Sequence, residues 1–275
     1  MGSSSFFAPG LFEGQVALVT GGGTGIGLAV ARELGVLGAK LVIASRSQEK
    51  VDAGLAALAS EQIECLGLTC DIREPAQVGE LVDQALARFG RIDVLVNNAG
   101  GQFPKPASEL SPRGFEAVVR NNLNGTFYVT SAVAQKAMIP ARRGRIVNVI
   151  ANVVRGFPGM VHTGAARAGV DNMTKTLAVE WATHGIRVNA VSPGTIRSSG
   201  TTQYGDELLE LSRRATPLKR LGTPEEVARI VVFLASHLND YVTGSTYAID
   251  GGLALWGDIW PIDEPPEAPT TGSAE

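Results

Sequence analysis

From Gln15 onward, short aliphatic runs alternate with longer amphipathic stretches. Val16–Thr20 reads as a strand, a helical period follows to about residue 37, and residues 41–44 form a second aliphatic run, completing a βαβ unit. The rhythm repeats through Cys65–Thr69, a helix over about 74–89, and strands over 92–96 and 145–150. Further helical periods cover about 113–138, 160–183 and 223–236, the last opened by Thr223 as N-cap with Pro224 at the first helical position. A final strand over 245–249 ends at Asp250-Gly251-Gly252. Continuous aliphatic strands between helices predict an α/β, single-domain Rossmann fold with a doubly wound parallel sheet of about seven strands.

The 275-residue length accommodates one such core without requiring a second domain, so the pattern predicts an arm over 1–11, a domain over 12–260 and a flexible tail over 261–275 that is proline-rich and acidic. With 44% hydrophobic and 19% charged residues the composition excludes a disordered chain. A net charge of -3 removes the basic excess that nucleic acid demands. The chain start has neither a cationic leader nor a long apolar run, so no membrane partner is expected. Cys65 and Cys70 lack the companions of a disulfide framework or zinc site, and no metal is predicted; a reducing cytoplasm suits them.

Candidate chemistry begins after the first strand. Thr20-Gly21-Gly22-Gly23-Thr24-Gly25-Ile26-Gly27 joins that strand to a helix, the context in which a glycine turn lets backbone approach a pyrophosphate at a helix N-terminus. The end of the second strand reads Ala44-Ser45-Arg46-Ser47, where a carboxylate would bind a ribose 2′-hydroxyl. No acid is present, and Ser45 with Arg46 can clasp a 2′-phosphate, which favours NADP(H).

This turn, with Asp71, Asn97-Asn98-Ala99-Gly100 and Pro193-Gly194, resembles the short-chain dehydrogenase/reductase family over about residues 12–254. The resemblance implies that Asp71 and Ile72 meet the adenine and that Asn98, Ala99 and Gly100 line the cofactor channel. It also implies that Pro193, Gly194, Thr195 and Ile196 lie beside the nicotinamide. It implies a homotetramer as well, because the long apolar helices at 113–138 and 160–183 form the dimer contact in that family.

The chain departs from the family at the reacting centre. Most members carry a serine after the fifth strand and Tyr-x-x-x-Lys in the next helix; here the corresponding positions hold Ala151, Thr163 and Arg167. A threonine hydroxyl can stabilise developing negative charge but is too weak an acid to replace the phenol, and an arginine cannot readily relay protons. Gly156-Phe157-Pro158 and the run from Val161 to Val170 resemble the branch of peroxisomal trans-2-enoyl-CoA reductases and 2,4-dienoyl-CoA reductases, as do residues 8–11 and 99–103. The final residues, Ser273-Ala274-Glu275, differ from a peroxisomal tripeptide, which suits a cytoplasmic relative.

The expected activity is therefore reduction of the C2=C3 bond of an acyl-CoA thioester, with Thr163 and Asn124 hydrogen-bonding the thioester oxygen and Arg167 holding the ribose. Asn122 matches the family's helix-bending asparagine, and Asn124 reads equally as a substrate or a structural residue. Water, His162 and Tyr204 are the candidate proton donors. Three alternatives stay open: a dehydrogenase of another carbonyl such as a terpenoid aldehyde, a dienoyl-CoA reductase, and a silent NADP-binding protein.

Overall fold

The computed structural model describes residues 6–198, 201 and 204–255; the expected tail over 261–275 lies outside them. Seven strands, β1 (Val16–Thr20), β2 (Lys40–Ser45), β3 (Cys65–Thr69), β4 (Val94–Asn97), β5 (Gly144–Val149), β6 (Ile186–Pro193) and β7 (Thr246–Ile249), form one sheet in the order β3-β2-β1-β4-β5-β6-β7. Every pairing is parallel. All residues of β1 and β4 are buried, because helices cover both faces and no position needs to be polar.

Among the described residues nine α-helices surround the sheet: α1 (Gly25–Val36), α2 (Gln48–Ala59), α3 (Pro75–Phe89), α4 (Pro112–Val119), α5 (Gly125–Val133), α6 (Ile139–Ala141), α7 (Val161–Glu180), α8 (Gly205–Ala215) and α9 (Pro224–Ala235). On one face, Val30 and Leu34 of α1 join Val227 and Val231 of α9 against β1, β2 and β4. On the other, Leu81 of α3, Val129 of α5 and Leu177 of α7 pack on the alternate side chains of the same strands. Helix α9 begins at a full capping box, in which Thr223 Oγ1 accepts the Glu226 N–H and the Glu226 carboxylate accepts the Thr223 N–H.

Three elements extend the pattern read from the sequence: α2, β6 and α8. The long helix expected at 113–138 is instead α4, α5 and α6 joined through π turns at Arg120–Asn124 and Ala134–Met138. The chain is also anchored before residue 12, since Phe7 and Leu11 pack on the core and the Arg229 guanidinium lies 4.2 Å from the Phe6 ring centroid.

Strand order reverses between β1 and β4, whose paired ends Thr20 and Asn97 lie level. Connections leaving these strands diverge to opposite sides, and the crevice that opens at their C-terminal ends is where such sheets bind ligands.

Candidate active site

The turn after β1 is shaped for an anion. Gly21 has φ +66°, and a Cβ there would lie 2.7 Å from Asn98 Nδ2. Gly27 packs so tightly on the preceding turn that its Cβ would fall 2.2 Å from the Gly21 carbonyl oxygen. The Thr24 side chain makes no cap, and the first turn of α1 contains no acid, which leaves its N–H groups and positive dipole end open to a pyrophosphate. Asn98 locks this turn to β4: its Nδ2 donates to the Thr20 carbonyl at 3.0 Å, and its backbone N–H donates to Thr20 Oγ1 at 3.0 Å.

A cleft of about 590 Å³ runs from this turn past Ser45, Arg46, Asp71, Ile72, Ala99 and Gly100, and includes Thr24, Gly25 and Ile26. Gly23 is outside its lining; a Cβ there would meet the Lys50 carbonyl at 2.1 Å, so this glycine permits the close packing of α2 on the turn. Lys50, Arg73 and Asn121 also line the cleft and were not read from the sequence. Arg73 clamps Asp71, donating from Nε at 2.9 and 3.0 Å, and this pairing holds the Asp71 carboxyl below its usual range. With its one acid thus neutralised, the β2 end of the cleft is dominated by Arg46 and Lys50, which fits a phosphorylated ribose.

A second cleft of about 430 Å³ shares Ile26, Asn98, Gly100 and Ser198 with the first, so the two form one trough. Pro193, Gly194, Thr195 and Ile196, expected beside the nicotinamide, are among its lining residues. Its walls are largely apolar, with Ile150, Phe157, Met160, Leu208, Leu209 and Leu253 among them. Polar side chains interrupt this surface at Asn152, which is held from behind by Asp250 outside the lining, and at the Gln102–Tyr204 pair. Asn152 donates from Nδ2 to Asp250 Oδ2 at 2.6 Å, and Gln102 donates from Nε2 to Tyr204 Oη at 2.7 Å. Asn152, Asp250 and Gln102 had no assigned role in the sequence reading; the nearest signal was the position of Asn152 beside Ala151.

Helix α7 brings Arg167 to this cleft. A buried polar chain sets its position: Asn97 Nδ2 donates to Asn148 Oδ1 at 2.9 Å, and Asn148 Nδ2 donates to Thr174 Oγ1 at 2.9 Å, tying β4 and β5 to α7. Arg167 is 8% exposed and packs on Gly100, where a Cβ would lie 2.3 Å from Nη2. Among the described residues it forms neither an ion pair nor a hydrogen bond, and burial pushes its guanidinium down to about 10. It therefore stays cationic at neutral pH without an anionic partner.

Three sequence expectations need correction. Thr163 is fully buried and outside the cleft lining; its Oγ1 lies 3.2 Å from His162 Nδ1 and is not presented as an oxyanion donor. His162 is equally buried, edge-on to Phe103, with Nδ1 accepting the Thr163 N–H at 2.7 Å and Nε2 unpartnered among the described residues. Burial holds this imidazole below its usual value, against the opposing pull of the Met160 and Phe103 carbonyls. A sealed neutral ring is not placed to protonate a substrate. Asn124 lines a separate depression with Arg113 and Phe115, because residues two apart on a helix face opposite ways and Asn122 takes the inward position. Asn122 bonds both the N–H and the carbonyl of Gly101, at 2.9 and 3.0 Å, using the π turn to hold the loop after β4.

Neither cysteine is in a disulfide, and burial pushes the Cys65 thiol up to about 12 and the Cys70 thiol to about 11, which disfavours the nucleophilic thiolate. Among the described residues no cluster of metal-ligating side chains occurs, and no helix is long and apolar enough to cross a membrane.

Comparison with known proteins agrees with this architecture. The family model described as enoyl-(acyl carrier protein) reductase matches residues 21–254. The peroxisomal 2,4-dienoyl-CoA reductase [(3E)-enoyl-CoA-producing] of Danio rerio is 42% identical over 90% of this chain and 84% of its own. A 3-oxoacyl-[acyl-carrier-protein] reductase of Thermotoga maritima is 38% identical over 88% of this chain and 99% of its own. Among solved structures, the citronellol catabolism dehydrogenase of Pseudomonas aeruginosa is 44% identical, covers 91% of this chain and 99% of its own, and superposes with a TM-score of 0.83. With the glycine turn, the Asn97–Asn148 network and the seven-stranded order in place, these matches show that the chain is an oxidoreductase belonging to the short-chain dehydrogenase/reductase family.

Proposed function

We propose that the protein is an NADPH-dependent reductase of conjugated acyl-CoA thioesters, the 2-enoyl and 2,4-dienoyl esters. The observation that carries this reading is a cleft that keeps an unpaired buried cation, Arg167, but has no ionisable acid at Ala151 or Thr163. Reduction of a conjugated thioester places negative charge on the thioester oxygen, where positive potential and N–H donors stabilise it before any proton arrives. A simple ketone would need its proton at once.

When bound, the nicotinamide supplies the hydride. Arg167 holds its ribose and raises the potential of the cleft, while Asn152, oriented by Asp250, offers an amide N–H for the thioester oxygen. Leu208, Leu209 and Leu253 exclude water from the acyl chain. Arg46 and Lys50 support the choice of the phosphorylated cofactor. A cytoplasmic homotetramer completes this proposal; exposed Phe127 on α5 and Val161 and Val179 on α7 support the assembly.

The likeness to the citronellol catabolism dehydrogenase favours one rival, a terpenoid carbonyl substrate in the same apolar cleft. Purified protein with NADPH and, in parallel, trans-2-decenoyl-CoA, 2,4-decadienoyl-CoA and citronellal separates the two. Thioester turnover is expected; turnover of citronellal alone transfers the assignment to the rival, and cofactor binding without turnover of any substrate marks a silent binder.

A further inference from the structure

We infer that Tyr204, at the start of α8, is the acid that protonates the α-carbon of the reduced thioester, and that Gln102 positions it. This assignment rests on the thioester reading above. Elimination within the cleft is its first support. Of the four tyrosines in the chain, Tyr204 alone lines this cleft; Tyr241 is fully exposed and Tyr128 and Tyr247 lie elsewhere. Among the described lining residues the titratable groups are Arg167 and Tyr204, and only the phenol is a proton donor of useful strength beside the much weaker hydroxyls of Thr195, Ser198, Thr201 and Ser212. Thr163 and His162, the alternatives on α7, are sealed from it.

Geometry is the second support. Tyr204, Leu208 and Ser212 recur every fourth residue, so one face of α8 looks into the cleft with the phenol at its N-terminal end. Gln102 reaches from the loop after β4, which Asn122 holds at Gly101, and donates to Oη at 2.7 Å. An N–H donated to this oxygen fixes its position and leaves the phenolic hydrogen free to point at a substrate. The buried Arg167 cation lines the same cleft and stabilises the negative charge on the enolate until the proton arrives.

The step balances without a further reagent. Hydride from the reduced nicotinamide leaves the substrate as an enolate, or as a dienolate from the dienoyl ester. The electron pair of its Cα=C1 bond forms the new Cα–H bond as the Tyr204 O–H bond breaks, and the phenolate regains a proton from water. The family's tyrosine has thus been replaced not in α7 but by a residue 41 positions downstream of Thr163, delivered by a different helix.

The test compares wild type, Tyr204→Phe and Gln102→Met with 2,4-decadienoyl-CoA and NADPH in D₂O, reading kcat, KM and the configuration of deuterium at C2 of the product. Tyr204→Phe should lower kcat by about 100-fold or more, consistent with loss of a general acid, while KM and cofactor affinity stay within about threefold. Its product should carry deuterium at C2 in both configurations, because water then protonates the enolate, whereas wild type gives one. Gln102→Met keeps the side-chain length but not the donor, and should lower kcat about tenfold at unchanged KM, with one configuration retained. A Tyr204→Phe enzyme with wild-type kcat and a single C2 configuration would overturn the assignment while leaving the thioester reductase intact. A wild-type chain that binds NADPH but reduces no thioester would overturn both.

Discussion

The two halves of the trough are built by different means. The cofactor half is made of backbone: a turn in which Gly21 and Gly27 tolerate no side chain, the uncapped N-terminus of α1, and one asparagine stapling β1 to β4. The substrate half is made of side chains from distant stretches, Gln102, Asn152, Arg167 and Tyr204, joined only by the topology. Shape held by backbone serves every member of a fold, whereas side chains set on loops and on an exposed helix can be exchanged without disturbing the core. Loss of the serine and tyrosine from the usual positions is a change in the second half alone.

If this division holds, damage to one half should spare the other. The largest effect is expected from Gly27→Val, which drives a branched side chain into the Gly21 carbonyl. NADPH affinity by fluorescence titration should fall by more than about 100-fold, with about 2–4 kcal/mol lost from stability by denaturant unfolding.

Arg167→Met sharpens the contrast, since it removes a buried cation that has no partner among the described residues. Turnover should fall about 100-fold, whereas the melting temperature without cofactor should rise, by the equivalent of about 1–3 kcal/mol. A variant that loses both activity and stability would mean that the cation holds the fold together.

Arg46→Asp should change cofactor choice with little effect on the substrate half. The ratio of kcat/KM for NADPH to that for NADH should drop by about 30-fold or more, because the acid can accept from a 2′-hydroxyl and repels a 2′-phosphate. Asn152→Ala should do the reverse, lowering kcat/KM for thioesters by about 10–30-fold with NADPH affinity unchanged, as expected for loss of a single oxyanion donor held by Asp250.

The smallest effect concerns His162. Burial holds its folded-state value below the ordinary 6.5, so the unfolded chain binds the proton more readily than the folded one. The stability this neutral ring contributes is complete above about pH 6.5 and is lost as pH falls below that value through the depressed folded-state pKa. The melting temperature should drop over that interval, and His162→Gln should flatten the drop.

Much of the architecture was legible in the sequence because aliphatic strands and a glycine turn report directly on burial and backbone approach. Strand β6 was obscured by Asn189 and Ser192, polar groups buried in the fold, where Asn189 Nδ2 donates to the Val242 carbonyl. Helix α2 was obscured because Gly54 occupies one of its buried positions, leaving Val51 and Leu58 to mark the stripe. Ser45, Arg46, Asn98 and Pro193 could be brought to the trough from the sequence because their places follow strand ends, and each of them lines it. Thr163 and Asn124 were misplaced because alignment to a motif fixes a position along a helix but not whether a smaller side chain still reaches the cleft. The pairing of Gln102 with Tyr204 spans 102 residues, and no local pattern encodes it.

The most direct test of the thioester reading is the ratio of kcat/KM, with NADPH, for 2,4-decadienoyl-CoA against 3-oxodecanoyl-CoA, two thioesters of one chain length that differ in the group reduced. A cleft that stabilises an enolate but lacks the motif acid predicts a ratio above about 100. A ratio below one would contradict the account, because it would show that the cleft protonates a carbonyl oxygen as readily as family members that retain the tyrosine.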